Sequence, residues 1–427
     1  MSISQNFPEE GPTLNLNFAG SKVLDPRITF SRSSVGTYMD ANGLIVTAAA
    51  DEPRFDHRYV NGEIESLGLL VEEQRVNYEQ NTEDPSQWTM VNMVPTGNSV
   101  TLPTGVASTS IEYKGETTDA NNKLIRPLPY SASPTAGDTW TYSGFYKKGV
   151  TNGERYVHLT FQNGNGTEGI GRGFDFDTGT WNGSLGLNNV TVADSGYEEY
   201  PNGWYRIWLT CTFPSTSTHL QTFTRLHANS TSIPYDTSFS LWGAQLEKAS
   251  FPTSYIPNDA SSSQATRSPD SVSMEGTNFS DWYNQSEGTI YCSGNNTGIT
   301  TTTSRFYYAI ENTSSSSGNF IRKWIWNGNT GLLLNSFYTS NTTGQGSVIS
   351  AEFSNTLTTD NKKTAVGYAK SDFASYYNGT SLNTDTSGNL PVGIDRLRIG
   401  TNLSGHISQL AYYPKRLTNT QLQNLTK

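Results

Sequence analysis

Alternation of apolar and polar residues with a period of two is the feature that most constrains what this chain can fold into. From Arg155 to Gln162, the apolar Val157, Leu159 and Phe161 occupy every second position, and the stretch from Tyr205 to Phe213 repeats the pattern. Successive side chains of a β-strand point to opposite faces. The spacing therefore predicts half-buried strands of the kind found in antiparallel sheets.

Similar runs recur along the chain, separated by short segments rich in Gly, Asn, Asp and Ser. They lie at Thr139 to Lys147, Gly173 to Phe176, Phe239 to Leu246, Thr289 to Ser293, Phe306 to Glu311, Phe320 to Asn327 and Arg396 to Gly400. Many short strands with turn residues between them, and almost no helical periodicity, are typical of sandwiches and barrels. The predicted fold class is all-β.

One short helix is predicted, at the end of the chain. Thr418 and Gln421 match the N-cap and N3 positions of a capping box, and Leu417 and Leu422 match the two positions of a hydrophobic staple. We expect this helix to hold the terminus in place through Leu422 and Leu425.

Length and charge limit the organisation and the partners of the chain. A single core stops growing at about 250–300 residues, so 427 residues predict two or three domains. The net charge of −10 leaves no basic surface for phosphates, which argues against nucleic acid or an anionic bilayer as a partner. No run of about 20 apolar residues is present for membrane insertion, and no signal peptide is recognisable, so synthesis without a leader is expected.

No motif of a catalytic or metal site stands out. Cys211 and Cys292 lie far apart and are expected to be buried free thiols, and the five histidines show no metal-ligand spacing. Gly164-x-Gly166-x-x-Gly169 matches a dinucleotide fingerprint formally, but no patterned helix follows, so a hairpin loop is predicted. We expect no catalytic residues, no enzyme activity and no cofactor.

Two polar segments indicate domain boundaries. One runs from Asn81 to Ser86, and the other is the Ser-rich stretch from Pro257 to Pro269. The prediction is three units: residues 1–85, 86–258 and 259–427.

The sequences of several segments resemble those of a known protein family. RITFSRSSVGTYMDANGLIVTAAADEPRFDH, followed by SLGLLVEEQRVNY, is similar to the opening module of many phage tail and head-fibre proteins. GWYRIWLT and LWGAQLEKASFPTSYIP resemble a carbohydrate-binding jelly roll that follows this module, and QATRSPDSV resembles the joint to the next domain. EGTIYCS and LRIGTNLSGHISQLAYYPKRLTNTQLQNLT resemble concanavalin-like or laminin-G-like lectin sandwiches of the same proteins.

The resemblance implies a bacteriophage virion structural protein, a tail or head fibre or appendage that resides in the virion. Residues 1–85 would be an anchoring and assembly module, residues 86–258 a carbohydrate-binding-module-like jelly roll, and residues 259–427 a lectin-like sandwich. The implied partners are other virion proteins and host cell-surface glycans, with a homo-oligomer, a trimer by family analogy. Two alternatives stay open: a capsid or tail decoration protein that binds no glycan, and a polysaccharide depolymerase.

Charged residues supply candidates for assembly and for a metal. Guanidinium groups suit fixed bidentate pairing, so Arg27, Arg32 and Arg54 are expected to be interface residues or buried hydrogen-bonding residues. Asp175 and Asp177 lie two positions apart, which places both carboxylates on one face of a strand. They are candidates for a structural calcium ion, and the alternative is a solvated face that runs into an Asp-Thr-Gly turn.

Aromatic residues near loop ends supply candidates for sugar binding. A sugar is held when a Trp or Tyr ring lies against its apolar face while amide and backbone groups take its hydroxyls. Trp181 follows the turn at Asp177, and Trp326 directly precedes Asn327-Gly-Asn329. Trp181, Trp326, Asn327 and Asn329 are therefore the predicted carbohydrate-binding residues. The alternative is that both rings pack in a core or a subunit interface.

Overall fold

The computed structural model describes the backbone and side chains of most of the chain. The described residues are 8–116, 123–127, 132–150, 155–164, 166–187, 189–226, 237–258, 264–298, 305–314, 319–328, 331–340, 348–350 and 361–427. For residues 184–187, 324–328, 331–340 and 348–350 the description covers the backbone alone. Within these described parts of the chain, no helix is long and apolar enough to cross a membrane.

Short strands and one helical turn, α1 (Phe18–Ser21), occupy the opening segment, defined here as residues 8–77. Asn61 and Gly62, both with positive φ, form the tight turn between its fifth and sixth strands, because such turns need left-handed backbone. The strands are β1 (Leu14–Leu16), β2 (Thr29–Ser31), β3 (Gly36–Met39), β4 (Ile45–Ala48), β5 (Arg54–Val60), β6 (Glu63–Val71) and β7 (Arg75–Asn77).

The middle of the chain is built from longer strands rich in aromatic and β-branched residues, which favour extended backbone. They are β8 (Thr89–Val91), β9 (Met93–Pro95), β10 (Val100–Thr101), β11 (Ala107–Ser108), β12 (Glu112–Gly115), β13 (Leu124–Arg126), β14 (Thr139–Lys148), β15 (Tyr156–Asn163), β16 (Gly169–Asp175), β17 (Thr180–Leu187), β18 (Thr191–Tyr200), β19 (Trp204–Thr212), β20 (Leu220–Leu226) and β21 (Ser238–Glu247).

The last third continues the pattern and ends in a helix. Its strands are β22 (Ala265–Arg267), β23 (Ser271–Glu275), β24 (Glu287–Gly294), β25 (Arg305–Glu311), β26 (Phe320–Gly328), β27 (Gly331–Ser340), β28 (Val348–Ser350), β29 (Lys362–Ala369), β30 (Asp372–Tyr377), β31 (Thr380–Asp385), β32 (Arg396–Ile399) and β33 (Gly405–Tyr413). Its helices are α2 (Thr277–Ser280) and α3 (Asn419–Leu425).

The middle strands form an antiparallel sandwich. One sheet has the order β18-β19-β14-β21-β12-β9, and the other has the order β17-β16-β15-β20-β13-β8. Tyr142 and Leu209 of the first sheet share an apolar core with Val157 and Leu159 of the second. The glycine-rich segment is the loop of the β15–β16 hairpin, as predicted.

A second sandwich combines the opening segment with the last third of the chain. One sheet has the order β31-β30-β29-β24-β33-β6-β5, with β1 also pairing with β33, and the other has the order β2-β23-β32-β25-β26-β27-β28. Leu14 and Leu69 therefore lie in the same core as Ile290 and Ile310. The opening segment is a structural part of this sandwich, while the division into the three proposed units stays a prediction.

The predictions for the fold class, the final helix and the thiols are confirmed. The described strands pair in antiparallel fashion, and the described helices are short. Helix α3 begins with the predicted capping box between Thr418 and Gln421, and its Leu422 is buried. Cys211 and Cys292 are both buried and free.

Candidate functional site

The predicted sugar-binding residues do not come together in the described structure. Trp181 lies on β17 with its ring centroid 5.5 Å from that of Phe174, and it packs against the core of the middle sandwich. The side chains of Trp326 and Asn327, and the whole of Asn329, lie outside the described residues. All four assignments stay predictions.

The two aspartates proposed for calcium lie beside cations of the protein. Arg155 Nη2 is 2.7 Å from Asp175 Oδ2, Arg155 Nε is 3.6 Å from Asp177 Oδ2, and Lys148 Nζ is 2.9 Å from Asp177 Oδ1. The hydrogen bonds from Arg155 lower the pKa of Asp175 to about 2. Among the described residues, no group of three His, Cys, Asp or Glu side chains is arranged to hold a metal. A calcium ion at this position stays a prediction, and it would compete with Arg155.

The three arginines proposed for assembly take different positions. Arg27 pairs with Asp25 at 2.8 Å and is partly exposed. Arg32 and Arg54 are buried, and both reach Asp270, which directly precedes β23: Arg32 Nη1 is 3.1 Å from Oδ1, and Arg54 Nη2 is 2.7 Å from Oδ2. These guanidinium groups therefore join the opening segment to the last third within one chain.

Glu72 extends this buried network to the middle of the chain. Its carboxylate is 2.7 Å from Arg54 and 3.1 Å from Arg267, and it accepts hydrogen bonds from the backbone nitrogen and hydroxyl of Ser254. Burial alone would raise the pKa of Glu72, but Arg267 and Arg54 hold it well below its usual range. We call Arg32, Arg54, Glu72, Arg267 and Asp270 the junction network, because all three parts of the chain meet at it.

A cavity of about 450 Å³ lies next to the junction network. We call it the junction cavity. Asp56 and His57 line it from the opening segment, Glu198 and Arg206 from the middle sandwich, and His406 from the last third. The site therefore exists only when all three parts of the chain are in place.

A chain of hydrogen bonds orders the wall formed by β5 and β33. Asp56 Oδ1 accepts from the backbone nitrogens of Met39 and His57, and Asp56 Oδ2 is 2.8 Å from His406 Nε2. His406 Nδ1 is 2.8 Å from Asn295 Oδ1. Both ring nitrogens of His406 thus face oxygens, which fixes the imidazole and the Asp56 carboxyl together.

His57 presents an unused nitrogen at the same wall. Its Nδ1 is 3.0 Å from the carbonyl oxygen of Met39, and a carbonyl only accepts, so Nδ1 carries a proton. Nε2 has no hydrogen-bond partner among the described residues, although His57 is only 6% exposed. In the neutral ring this nitrogen is an acceptor for a ligand donor.

The opposite wall is one face of the β18–β19 pair. Glu198 is directly opposite Arg206, and Gly196 is directly opposite Trp208. A Cβ on Gly196 would collide with the Trp208 ring, so the glycine leaves room for the indole to lie across the strand. Cross-strand neighbours share a face, and this places the carboxyl, the guanidinium and the indole side by side.

Glu198 lines the cavity with a solvent-exposed side chain, and the bulk of the surrounding protein still reduces the solvation of its carboxyl. Burial raises the pKa of its carboxyl, Arg206 and His406 act in the opposite direction, and Asp56 adds to the increase. Arg206 donates to the Ser143 hydroxyl at 3.3 Å and lies over the Phe145 ring, so it is held behind the cavity wall.

Aromatic side chains complete the rim. Trp208 Nε1 donates to Asp194 Oδ2 at 3.0 Å, which fixes the indole, whereas the ring of Tyr197 lies 5.2 Å from that of Phe174 on the other face of the strand pair. Tyr59 lines the cavity from β5. Rings together with acceptors and donors around a concave space are the usual composition of a small-ligand site.

Sequence reasoning missed most of this site. The pair Glu198-Glu199 was visible, but strand alternation places the two carboxyls on opposite faces and gives no partner for either. His406 and Asp56 meet across 350 positions, and no local pattern indicates this. The available signal was the alternation in Tyr205 to Phe213, which places Arg206 and Trp208 together on the face opposite Ile207.

Comparison with known proteins gives no family for the chain. No protein-family description and no curated protein matches it. Among solved structures, the CBM40 domain of the Ruminococcus gnavus IT-sialidase bound to α2,3-sialyllactose is 17% identical, with a TM-score of 0.29, over 34% of this chain and 84% of that one. Domain 4 of AbnA, a GH43 arabinanase from Geobacillus stearothermophilus, in complex with arabinotriose, is 13% identical, with a TM-score of 0.29, over 40% of this chain and 84% of that one.

The Trypanosoma rangeli sialidase matches more of the chain, but at lower identity. It is 10% identical, with a TM-score of 0.25, over 74% of this chain and 60% of that one. At such identities and TM-scores none of these likenesses bears on what the chain binds.

Proposed function

We propose that the chain is a bacteriophage virion structural protein, a tail or head fibre or appendage, that adheres to host-surface glycans through the junction cavity. The observation that carries the glycan-binding part is the cavity itself. It combines the half-buried ring of Trp208 with two acceptors, Glu198 and His57 Nε2, that have no hydrogen-bond partner within the described residues. A volume of about 450 Å³ lies within the range of small-ligand pockets and leaves room for one or two sugar rings.

The virion part of the proposal is supported by the resemblance of the opening segment and by its place in the fold. The segment that resembles the phage module contributes β1, β2, β5 and β6 to the last sandwich and lines the junction cavity. An assembly module that is itself part of the binding site would couple attachment to the particle with presentation of the site. Repeated copies on a particle would raise avidity without new contacts.

A glycan array of the purified chain tests the binding. We expect binding to a subset of bacterial surface glycans, and we expect Trp208→Ala to weaken it about tenfold or more, because the indole supplies the stacking surface. Trp181→Ala is the matched control, since Trp181 packs against Phe174 away from the cavity. Binding that depends on Trp181 and not on Trp208 would contradict the assignment of the site. Absence of binding to every glycan would favour a decoration protein.

The virion assignment has its own test. Antibodies against the chain should label intact phage particles at a tail or head appendage in electron micrographs. Absence of the chain from purified particles would overturn this part of the proposal and leave the cavity assignment standing.

One observation favours polysaccharide depolymerisation as a second candidate. Glycosidases use two carboxyl groups, one of them protonated by a raised pKa. The raised pKa of Glu198 and the presence of Asp56 in the same cavity fit this requirement. Release of reducing ends from a bound glycan, abolished by Glu198→Gln, would establish this activity, and an intact glycan after long incubation would exclude it.

A further inference from the structure

We propose that the junction cavity selects a sugar with a free amine, whose ammonium group lies against Glu198. This inference rests on the proposed function, because it names the class of glycan that the same cavity takes. It follows from which charges of the wall are already paired and which are open to a ligand.

Most charged groups of the wall have partners within the protein. Glu72 is neutralised by Arg54 and Arg267 behind the wall, and Asp56 is bound to His406 at 2.8 Å. Elsewhere on the wall, Arg58 pairs with Glu65 at 2.8 Å and Asp194 accepts from Trp208. These groups are satisfied before a ligand arrives.

Glu198 differs from them. Its carboxyl has no hydrogen bond and no ion pair within the described part of the chain, and Arg206, directly opposite, is held by Ser143 and Phe145. The surrounding protein reduces the solvation of this exposed carboxyl, and this cost raises its pKa even though Arg206 acts in the opposite direction. A ligand cation at this point would remove that cost.

The second open group is also an acceptor. His57 is 6% exposed and lines the cavity, and its Nε2 has no partner among the described residues. Two unpaired acceptors, one of them acidic, require a ligand rich in donors. An amino sugar supplies an ammonium group for Glu198 and hydroxyl donors for His57, while Trp208 offers its face to the ring.

The same charges disfavour an acidic sugar. Asp56, Asp194 and Glu198 line the cavity together with Arg58 and Arg206, and Arg58 is neutralised by Glu65. A carboxylate or sulfate group would enter a wall with an excess of negative charge and would repel Glu198. The predicted order of affinity is amino sugar, then neutral sugar, then acidic sugar.

Isothermal titration with three matched tetrasaccharides tests this order: glucosamine tetramer, N-acetylglucosamine tetramer and galacturonate tetramer. We expect the glucosamine tetramer to bind about tenfold tighter or more than its acetylated form, since a charge-assisted hydrogen bond is lost on acetylation. Glu198→Gln should bring the two affinities close together, because it should weaken the glucosamine tetramer far more than the acetylated tetramer. Glu63→Gln, an exposed carboxyl on β6 outside the cavity, is the control and should change neither.

Three outcomes would overturn the inference. Equal binding of the free and acetylated tetramers, both lost in Trp208→Ala, would leave the proposed function standing and remove the amine preference. Binding of lysine as tight as that of the glucosamine tetramer would show that the site binds an amine and does not require a sugar. Absence of binding by all three tetramers, together with an empty glycan array, would remove the inference and the glycan-binding function alike. Circular dichroism and thermal unfolding of Glu198→Gln verify that the variant folds.

Discussion

The core of the middle sandwich and the junction network hold the molecule together in different ways. The core is apolar, with Trp140, Phe161 and Leu209 at most 2% exposed. The junction network is equally buried but consists of charges, such as Arg54 and Asp270. Apolar packing tolerates many residues of suitable size, whereas a buried charge needs every partner in place. The sandwich is therefore specified by a pattern of apolar residues, and the junction by individual charged residues.

The largest effect is expected from Arg54→Met. The variant leaves Glu72 and Asp270 buried with one cation fewer, and breaking a buried pair in this way costs about 3–5 kcal/mol. Urea denaturation at pH 7 measures the loss in the free energy of unfolding. Arg58→Met is the matched control, because its pair with Glu65 is 39% and 49% exposed and should contribute below about 1 kcal/mol. Equal, small losses in both variants would show that the buried pairs of Arg54 stabilise the fold no more than the exposed pair of Arg58.

A buried carboxyl with no cation beside it should have a raised pKa, in contrast to the lowered pKa of Glu72. Glu79 is 5% exposed and accepts a hydrogen bond from Thr222, and burial raises its pKa to about 7. The folded state therefore favours the protonated form, while the unfolded chain ionises near its usual value of 4.5. As the pH rises from about 4.5 to about 7, the unfolded state releases the proton first, and stability should fall by roughly 3 kcal/mol.

The variant Glu79→Gln tests the direction of this pH dependence of stability. The amide cannot ionise, so we expect its contribution to stability to be independent of pH. We also expect the variant to be more stable than the natural chain at pH 8. Urea denaturation at pH 5 and pH 8 measures the difference. A natural chain that gains stability over this interval relative to the variant would contradict the raised pKa.

The smallest effect is expected at the final helix. Thr418→Ala removes the side chain that caps α3 and should cost about 1 kcal/mol. Faster amide exchange confined to α3, with the urea midpoint of the middle sandwich unchanged, would show that the Thr418 cap stabilises only this helix. A loss as large as that of Arg54→Met would mean that the end of the chain contributes to the junction.

The parts of the fold that were predictable are those fixed by local pattern. Val157 and Leu159 alternate because their strand faces a core, and Thr418 and Gln421 form a capping box because both residues lie within one helical turn. The junction was not predictable in the same way. Arg32 meets Asp270 across 238 positions, and the residue types alone do not choose this partner over any other carboxylate.

For the candidate site, only the types of side chain were predictable, and their positions were not. Aromatic rings beside polar groups were expected, yet Trp181, one of the two expected rings, packs against Phe174. The cavity instead presents Trp208, because the meeting of three parts of the chain leaves a concave space beside β18 and β19. Such a space depends on how whole sheets lie against each other, and no single segment encodes it.

A crystal structure of the protein with the strongest ligand of the glycan array would locate the sugar site. We predict a sugar in the junction cavity, stacked on Trp208 and within hydrogen-bond distance of Glu198 and His57 Nε2. A sugar bound at Trp181 or elsewhere on the surface, with the junction cavity empty, would contradict it.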